Sequence, residues 1–144
     1  MSQQRRSQHR FVIIGAGSGG LCMGIHLKKA GIEDFVILEK GEGLGGTWWH
    51  NTYPGAECDV QSHLYSYSFE QKTDWSRPFA GQAEILAYLN HCADKYDIRR
   101  HIQFQTTVTS AHWRDDHARW QVTTNTGEEI EAHVVVSALG MFNN

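Results

Sequence analysis

Apolar residues in this chain fall into three kinds of pattern. Phe11-Val-Ile-Ile14 and Phe35-Val-Ile-Leu38 are short unbroken apolar runs, which predict strands buried on both faces. Between them lie glycines at 15, 17, 19 and 20, then a stretch from Leu21 to Ala30 that reads as a helix ended by Gly31. Strand, glycine turn, helix and strand within one short segment predict a βαβ unit with a right-handed crossover. Residues Gly41 to Ser68 have no period and are rich in glycine and aromatics, so they read as a long ordered loop. Helical spacing returns from Gln82 to Tyr96, with Ile85, Leu86, Leu89, Ala93 and Tyr96 on one face, and Ile102 to Phe104 suits a third parallel strand. From Thr107 the period becomes two. Val108, Ala111 and Trp113 precede a turn at Asp115-Asp116-His117; Trp120, Val122 and Thr124 precede another at Asn125-Thr-Gly127. Glu129 to Val136 completes a three-stranded antiparallel meander whose last strand re-enters the main sheet, with Val134 to Gly140 as a final buried strand and its terminal glycine. The predicted class is α/β: a Rossmann-like parallel sheet plus a β-meander, with residues 1–10 a polar amino-terminal extension and 11–144 one domain.

Composition removes several functions. The chain has 144 residues, 40% of them hydrophobic, and a formal net charge of -3. That is long enough for a core and offers no basic field for nucleic acid. Cys22, Cys58 and Cys92 are odd in number and widely spaced, which suits a reducing cytoplasm rather than a disulfide framework. Cys22 and Cys58 read as small buried hydrophobes. The nine histidines show no H-E-x-x-H or similar grouping, so no metal site is predicted. Arg5, Arg6 and Arg10 before an apolar run superficially resemble an export signal, but the glycines interrupt that run at once. No apolar segment approaches the ~20 residues of a membrane span.

Gly15-Ala-Gly17-Ser-Gly-Gly20 fits G-x-G-x-x-G. The first glycine permits a tight turn, the second lets backbone approach a pyrophosphate, and the third lets the helix pack on the strand. The motif alone is weak. Here it follows a predicted strand, opens a helix and is answered by Glu39 at the end of the second strand, where a carboxylate can accept hydrogen bonds from adenosine ribose hydroxyls and repel a 2′-phosphate. The residues therefore imply a dinucleotide and leave FAD and NAD both open.

The loop narrows the choice by resemblance. Gly45-Gly-Thr-Trp48, Asn51, Tyr53-Pro-Gly55, Cys58-Asp-Val60 and Tyr65-Ser-Tyr-Ser-Phe69 resemble the flavin-binding loop of type I Baeyer–Villiger monooxygenases, within the flavin-containing monooxygenase class. Glu84-Ile-Leu and Phe104-Gln-Thr-Thr-Val108 extend the likeness, which runs from Phe11 to Gly140. It implies FAD as cofactor, with Gly15, Gly17 and Gly20 at the pyrophosphate and Glu39, with Lys40 beside it, at the ribose. It also implies that Gly46, Thr47 and Trp48 run along the ribityl chain and flavin edge, and that Tyr65 lines the same cavity. Val108 would meet adenine through its backbone, and Gly140 would lie near the diphosphate. Asp59 would act catalytically as an electrostatic partner near the isoalloxazine; without the resemblance it reads as a solvated loop carboxylate or a cap. Thr52 and Glu57 stand where members of this family often carry Arg, and His50 where they carry an aromatic.

The family's reaction, carried over, uses NADPH to reduce FAD and dioxygen to form a peroxyflavin that turns a ketone into an ester or lactone. The alternatives are an FAD-binding fragment without turnover and an enzyme oxidising nitrogen or sulfur. A second glycine cradle for NADPH is not found: after Gly81 only Gly127 and Gly140 remain. The expectation is an incomplete FAD-binding domain, completed by further sequence or a complementing chain, or prone to self-association.

Overall fold

The computed structural model describes residues 6–142. Six strands form one sheet: β1 (Arg6–Ile14), β2 (Phe35–Leu38), β3 (Ile102–Gln103), β4 (Val108–Arg114), β5 (Arg119–Thr124) and β6 (Glu129–Ser137). Their order across the sheet is β3-β2-β1-β6-β5-β4. β1 is parallel to β2 and to β6, and β2 to β3; β4, β5 and β6 pair antiparallel. The α/β class, the parallel βαβ unit and the meander are thus as the residue pattern predicts. β6 joins the two halves, accepting β5 on one side and β1 on the other.

Helices α1 (Ser18–Lys29) and α3 (Gln82–Lys95) pack on one face of the parallel strands. There Ile13, Phe35 and Ile37 meet Leu21, Ile25, Ile85 and Leu89 in one buried cluster. The other face carries a smaller cluster in which Val12, Val36 and Leu38 join Val122, Ile130 and Ala132 of the meander. Consecutive strand residues feed opposite clusters, so an unbroken apolar run is what a strand covered on both faces requires.

Several boundaries differ from the sequence reading. β1 begins at Arg6 instead of Phe11, because its polar half pairs with Glu129–Ala132 and is held by Ser7 Oγ donating to Glu128 (2.9 Å) and Gln8 Nε2 to Glu131 (3.1 Å). Residues 1–5 of the expected extension lie outside the described residues. On α3 the buried face includes Tyr88 and Cys92, whereas Leu86 and Tyr96 are only partly covered. The final strand is not buried as expected: Val134 is 39% exposed and Leu139 59%. β6 is central in the ladder, yet on the helix face only Val136 of this strand packs against the core, and it stays partly exposed. The long loop holds a one-turn helix, α2 (Thr47–His50), and a 3-10 turn at Ser62–Leu64.

Ile130, fully buried where β6 links both halves, and Val134, half-exposed on the same strand, make a matched pair. Ile130→Ala is expected to lower unfolding free energy by about 2–4 kcal/mol, against less than about 1 kcal/mol for Val134→Ala, by urea denaturation.

Candidate dinucleotide-binding site

The carboxyl ends of β1 and β2 open on a crevice of about 310 Å³. Open α/β sheets bind ligands at this end of their strands. Its floor is the glycine turn. Gly15 has φ +103°, and a Cβ there would lie 2.5 Å from the Ala138 carbonyl oxygen. A Cβ at Gly20 would lie 1.9 Å from the Gly15 carbonyl oxygen, so that glycine lets α1 sit against the turn. Gly17 differs: φ is negative, and its Cβ would meet nothing nearer than Gly46 Cα at 3.6 Å. The protein fold does not require glycine at 17. The space above it is what a side chain would fill, and that space faces Gly46 of the long loop. No side chain caps α1, so first-turn amides remain for an anion.

Glu39 closes the crevice at the β2 end. It is 4% exposed, and its carboxylate accepts the N–H groups of Ala16 and Gly41, each at 2.7 Å. Each oxygen keeps a lone pair, so the carboxylate can serve a ribose while already fixed by backbone. Its own backbone accepts Thr106 N–H and donates to Gln103, both at 2.9 Å. Sequence reasoning found the carboxylate but not this structural task.

The opposite wall is the long loop. Gly45 N–H donates to Ala16 O at 2.9 Å, tying loop to turn. Gly46 (φ +57°) then starts α2, which seats Thr47 in the crevice and buries Trp48 to 8%. Trp48 Nε1 donates to the Tyr65 hydroxyl at 3.1 Å, and the rings meet edge to face at 5.8 Å. Burial pushes the Tyr65 phenol up; the bond from Trp48 opposes this, and the nearby Asp59 carboxylate adds to it.

Of the residues singled out from the sequence, Gly15, Gly17, Glu39, Lys40, Gly46, Thr47, Trp48, Tyr65, Val108 and Gly140 all line this one crevice. Gly20 lies beneath it. Asp59, expected near the isoalloxazine, is exposed and outside the lining; its link to the crevice is the charge it presents to Tyr65. Glu57 does not leave a bare negative charge, because Arg77 pairs with it at 2.8 Å. Among the described residues no group of three or more His, Cys, Asp or Glu could hold a metal, and no helix is long and apolar enough to cross a membrane. Cys22 is only partly buried, unlike Cys58 and Cys92. The sequence reading gave no crevice role to Ser18, Thr106, Leu139 or His50; the run Thr106-Thr-Val108 after β3 carried the only signal for the second.

The model of the pyridine nucleotide-disulphide oxidoreductase family matches residues 12–144. The chain belongs to this family. It is 45% identical over 138 residues to a Baeyer-Villiger monooxygenase of Streptomyces coelicolor, a match covering 96% of this chain and 26% of that protein. A Baeyer-Villiger monooxygenase of Pseudomonas aeruginosa is 44% identical over 131 residues, covering 91% and 25%. Among solved structures, an oxidized steroid monooxygenase bound to NADP superposes with TM-score 0.89 at 43% identity, covering 93% of this chain and 26% of that one. An open structure of cyclohexanone monooxygenase gives 0.89 at 43%, covering 94% and 27%. The resemblance read from the loop is therefore borne out in sequence and fold, over a chain spanning about a quarter of the relatives' length.

Two of the cradle glycines separate by stability. Gly20→Ala is expected to lower the melting temperature sharply or prevent folding, whereas Gly17→Ala leaves it within about 2–3 °C, as its Cβ makes only ordinary contacts. Glu39→Ala removes the side-chain acceptor of two backbone N–H groups and is expected to cost about 2–4 kcal/mol without any ligand, measured by denaturant titration.

Proposed function

We propose that this chain is the FAD-holding segment of an NADPH- and dioxygen-dependent flavin monooxygenase that converts a ketone to an ester or lactone. The observation that supports it best is the meeting, in one crevice, of a glycine cradle, a buried ribose-facing carboxylate and the Gly46-Thr47-Trp48 wall. The fit to a diphosphate rests on space that a Cβ at Gly17 would take and on the uncapped start of α1. Relatives named for Baeyer-Villiger activity, and an acetone monooxygenase of Gordonia 38% identical over 135 residues, supply the reaction class.

In this reading Gly15, Gly17 and the first turn of α1 bind the diphosphate, and Glu39 orients the adenosine ribose, beside Lys40. Val108 and Gly140 flank the adenosine and diphosphate sides. Thr47 and Trp48 face the flavin side, with Tyr65 fixing the indole by its hydroxyl. Asp59, outside the lining, presents a negative charge to Tyr65 and acts on the reacting end through electrostatics. The bound flavin supplies the redox and oxygen chemistry; the chain supplies orientation and shielding from water. Three free thiols suit a cytoplasmic home for the whole enzyme.

Purified protein mixed with FAD and desalted is expected to keep a yellow flavin absorbance, which Gly17→Val abolishes while its far-UV circular dichroism stays that of the parent. Equal flavin in both proteins would refute the cradle. Steady NADPH oxidation by this chain alone would refute its restriction to FAD binding.

A further inference from the structure

The Trp48 carbonyl poses a problem that the sequence does not solve locally. α2 stops at His50, so no helical amide follows to take that oxygen. The Gln82 side chain takes it instead: Nε2 donates to Trp48 O from the first residue of α3. The Gln82 backbone N–H donates to Ala56 O at 2.9 Å. Around it the segment Ala56–Ser62 is fastened to Arg77–Gln82 by Cys58 N–H to Ala80 O (3.0 Å) and Ser62 N–H to Pro78 O (2.7 Å). One residue thus ties α3 to two points of the loop that walls the crevice, Trp48 and Ala56.

From this geometry we infer that Gln82 is a positioning residue for the cofactor, a latch that sets Thr47 and Trp48 at the crevice wall without touching the ligand. The inference rests on the crevice being the FAD site. Gln82 lies outside the lining, so any effect on binding passes through α2. A neutral amide suits the task because a carbonyl needs a donor and a carboxylate there would repel it. The neighbouring charges are already engaged: Glu57 with Arg77 at 2.8 Å, and Glu84 with the Ser76 hydroxyl at 2.7 Å and Lys72 at 3.7 Å.

Two measurements decide it. In the unliganded protein, Gln82→Ala is expected to speed hydrogen exchange of the Trp49, His50 and Asn51 amides about tenfold, while Leu89 and Cys92 in α3 keep parental rates. Parental rates at α2 would overturn the latch, whatever the crevice binds. In FAD titrations, Gln82→Glu is expected to bind about tenfold more weakly at neutral pH. It regains affinity as pH falls through the carboxylate range, about 4–5 or somewhat higher beside a carbonyl, because the protonated acid again donates. The parent shows no such recovery. Parental affinity for Gln82→Glu at neutral pH, or a deficit that stays constant with pH, would overturn the positioning role. A parent that takes up no FAD would refute the cofactor reading and leave the exchange result to decide the latch.

Discussion

The crevice depends on one buried charge. Glu39 sits at the end of β2 with its carboxylate fixed by two backbone amides, one from the glycine turn and one from the start of the long loop. Charge-assisted bonds of this kind are among the stronger polar contacts in a protein, and removing the acceptor would orphan amides in a largely enclosed place. Through Glu39 the turn after β1, the end of β2, the end of β3 with Thr106 beyond it, and the loop share one reference point. The distance between the glycine floor and the loop wall follows from it.

The rest of the fold holds that point still. Two buried clusters clamp the parallel strands from both faces, and β6 carries the meander into register with β1. α3 contributes Ile85 and Leu89 to the core while its first residue reaches the loop, so packing and site geometry share one helix. The tyrosines of the loop's far end lock it down in turn: Tyr67 donates its hydroxyl to Ser18 O at 2.6 Å, and the Tyr88 hydroxyl accepts Tyr67 N–H at 2.8 Å.

Much of this was legible in the residues. Phe11–Ile14 and Phe35–Leu38 announce strands because both their faces are covered, and the glycine spacing announces the turn because Gly15 and Gly20 leave no room for a Cβ. The polar start of β1 was not legible, since Arg6–Arg10 lacks an apolar pattern and is held by ladder bonds and by pairing with Glu128 and Glu131. Tyr88 and Cys92 were missed on α3 because Leu86 and Tyr96 were assigned their place on the face, although Ile85, Tyr88, Leu89 and Cys92 keep helical spacing; Tyr88 finds its partners in the Tyr67 amide and the Glu70 carbonyl. The exposure of Val134 was invisible because apolar composition states what could be covered, not what covers it. Gln82 had no signal at all, since a glutamine at a helix start looks like any surface residue.

In the proposed function the crevice grips the adenosine and diphosphate of FAD, with Glu39 as ribose acceptor. Competition calorimetry tests it directly, by displacing FAD with ADP, with adenosine 2′,5′-diphosphate and with FMN. ADP is predicted to compete, the 2′-phosphorylated nucleotide to bind at least tenfold more weakly than ADP through repulsion from the carboxylate, and FMN to compete poorly. Displacement by FMN but not by ADP would mean that the crevice does not hold the adenosine half and that Glu39 is no ribose acceptor.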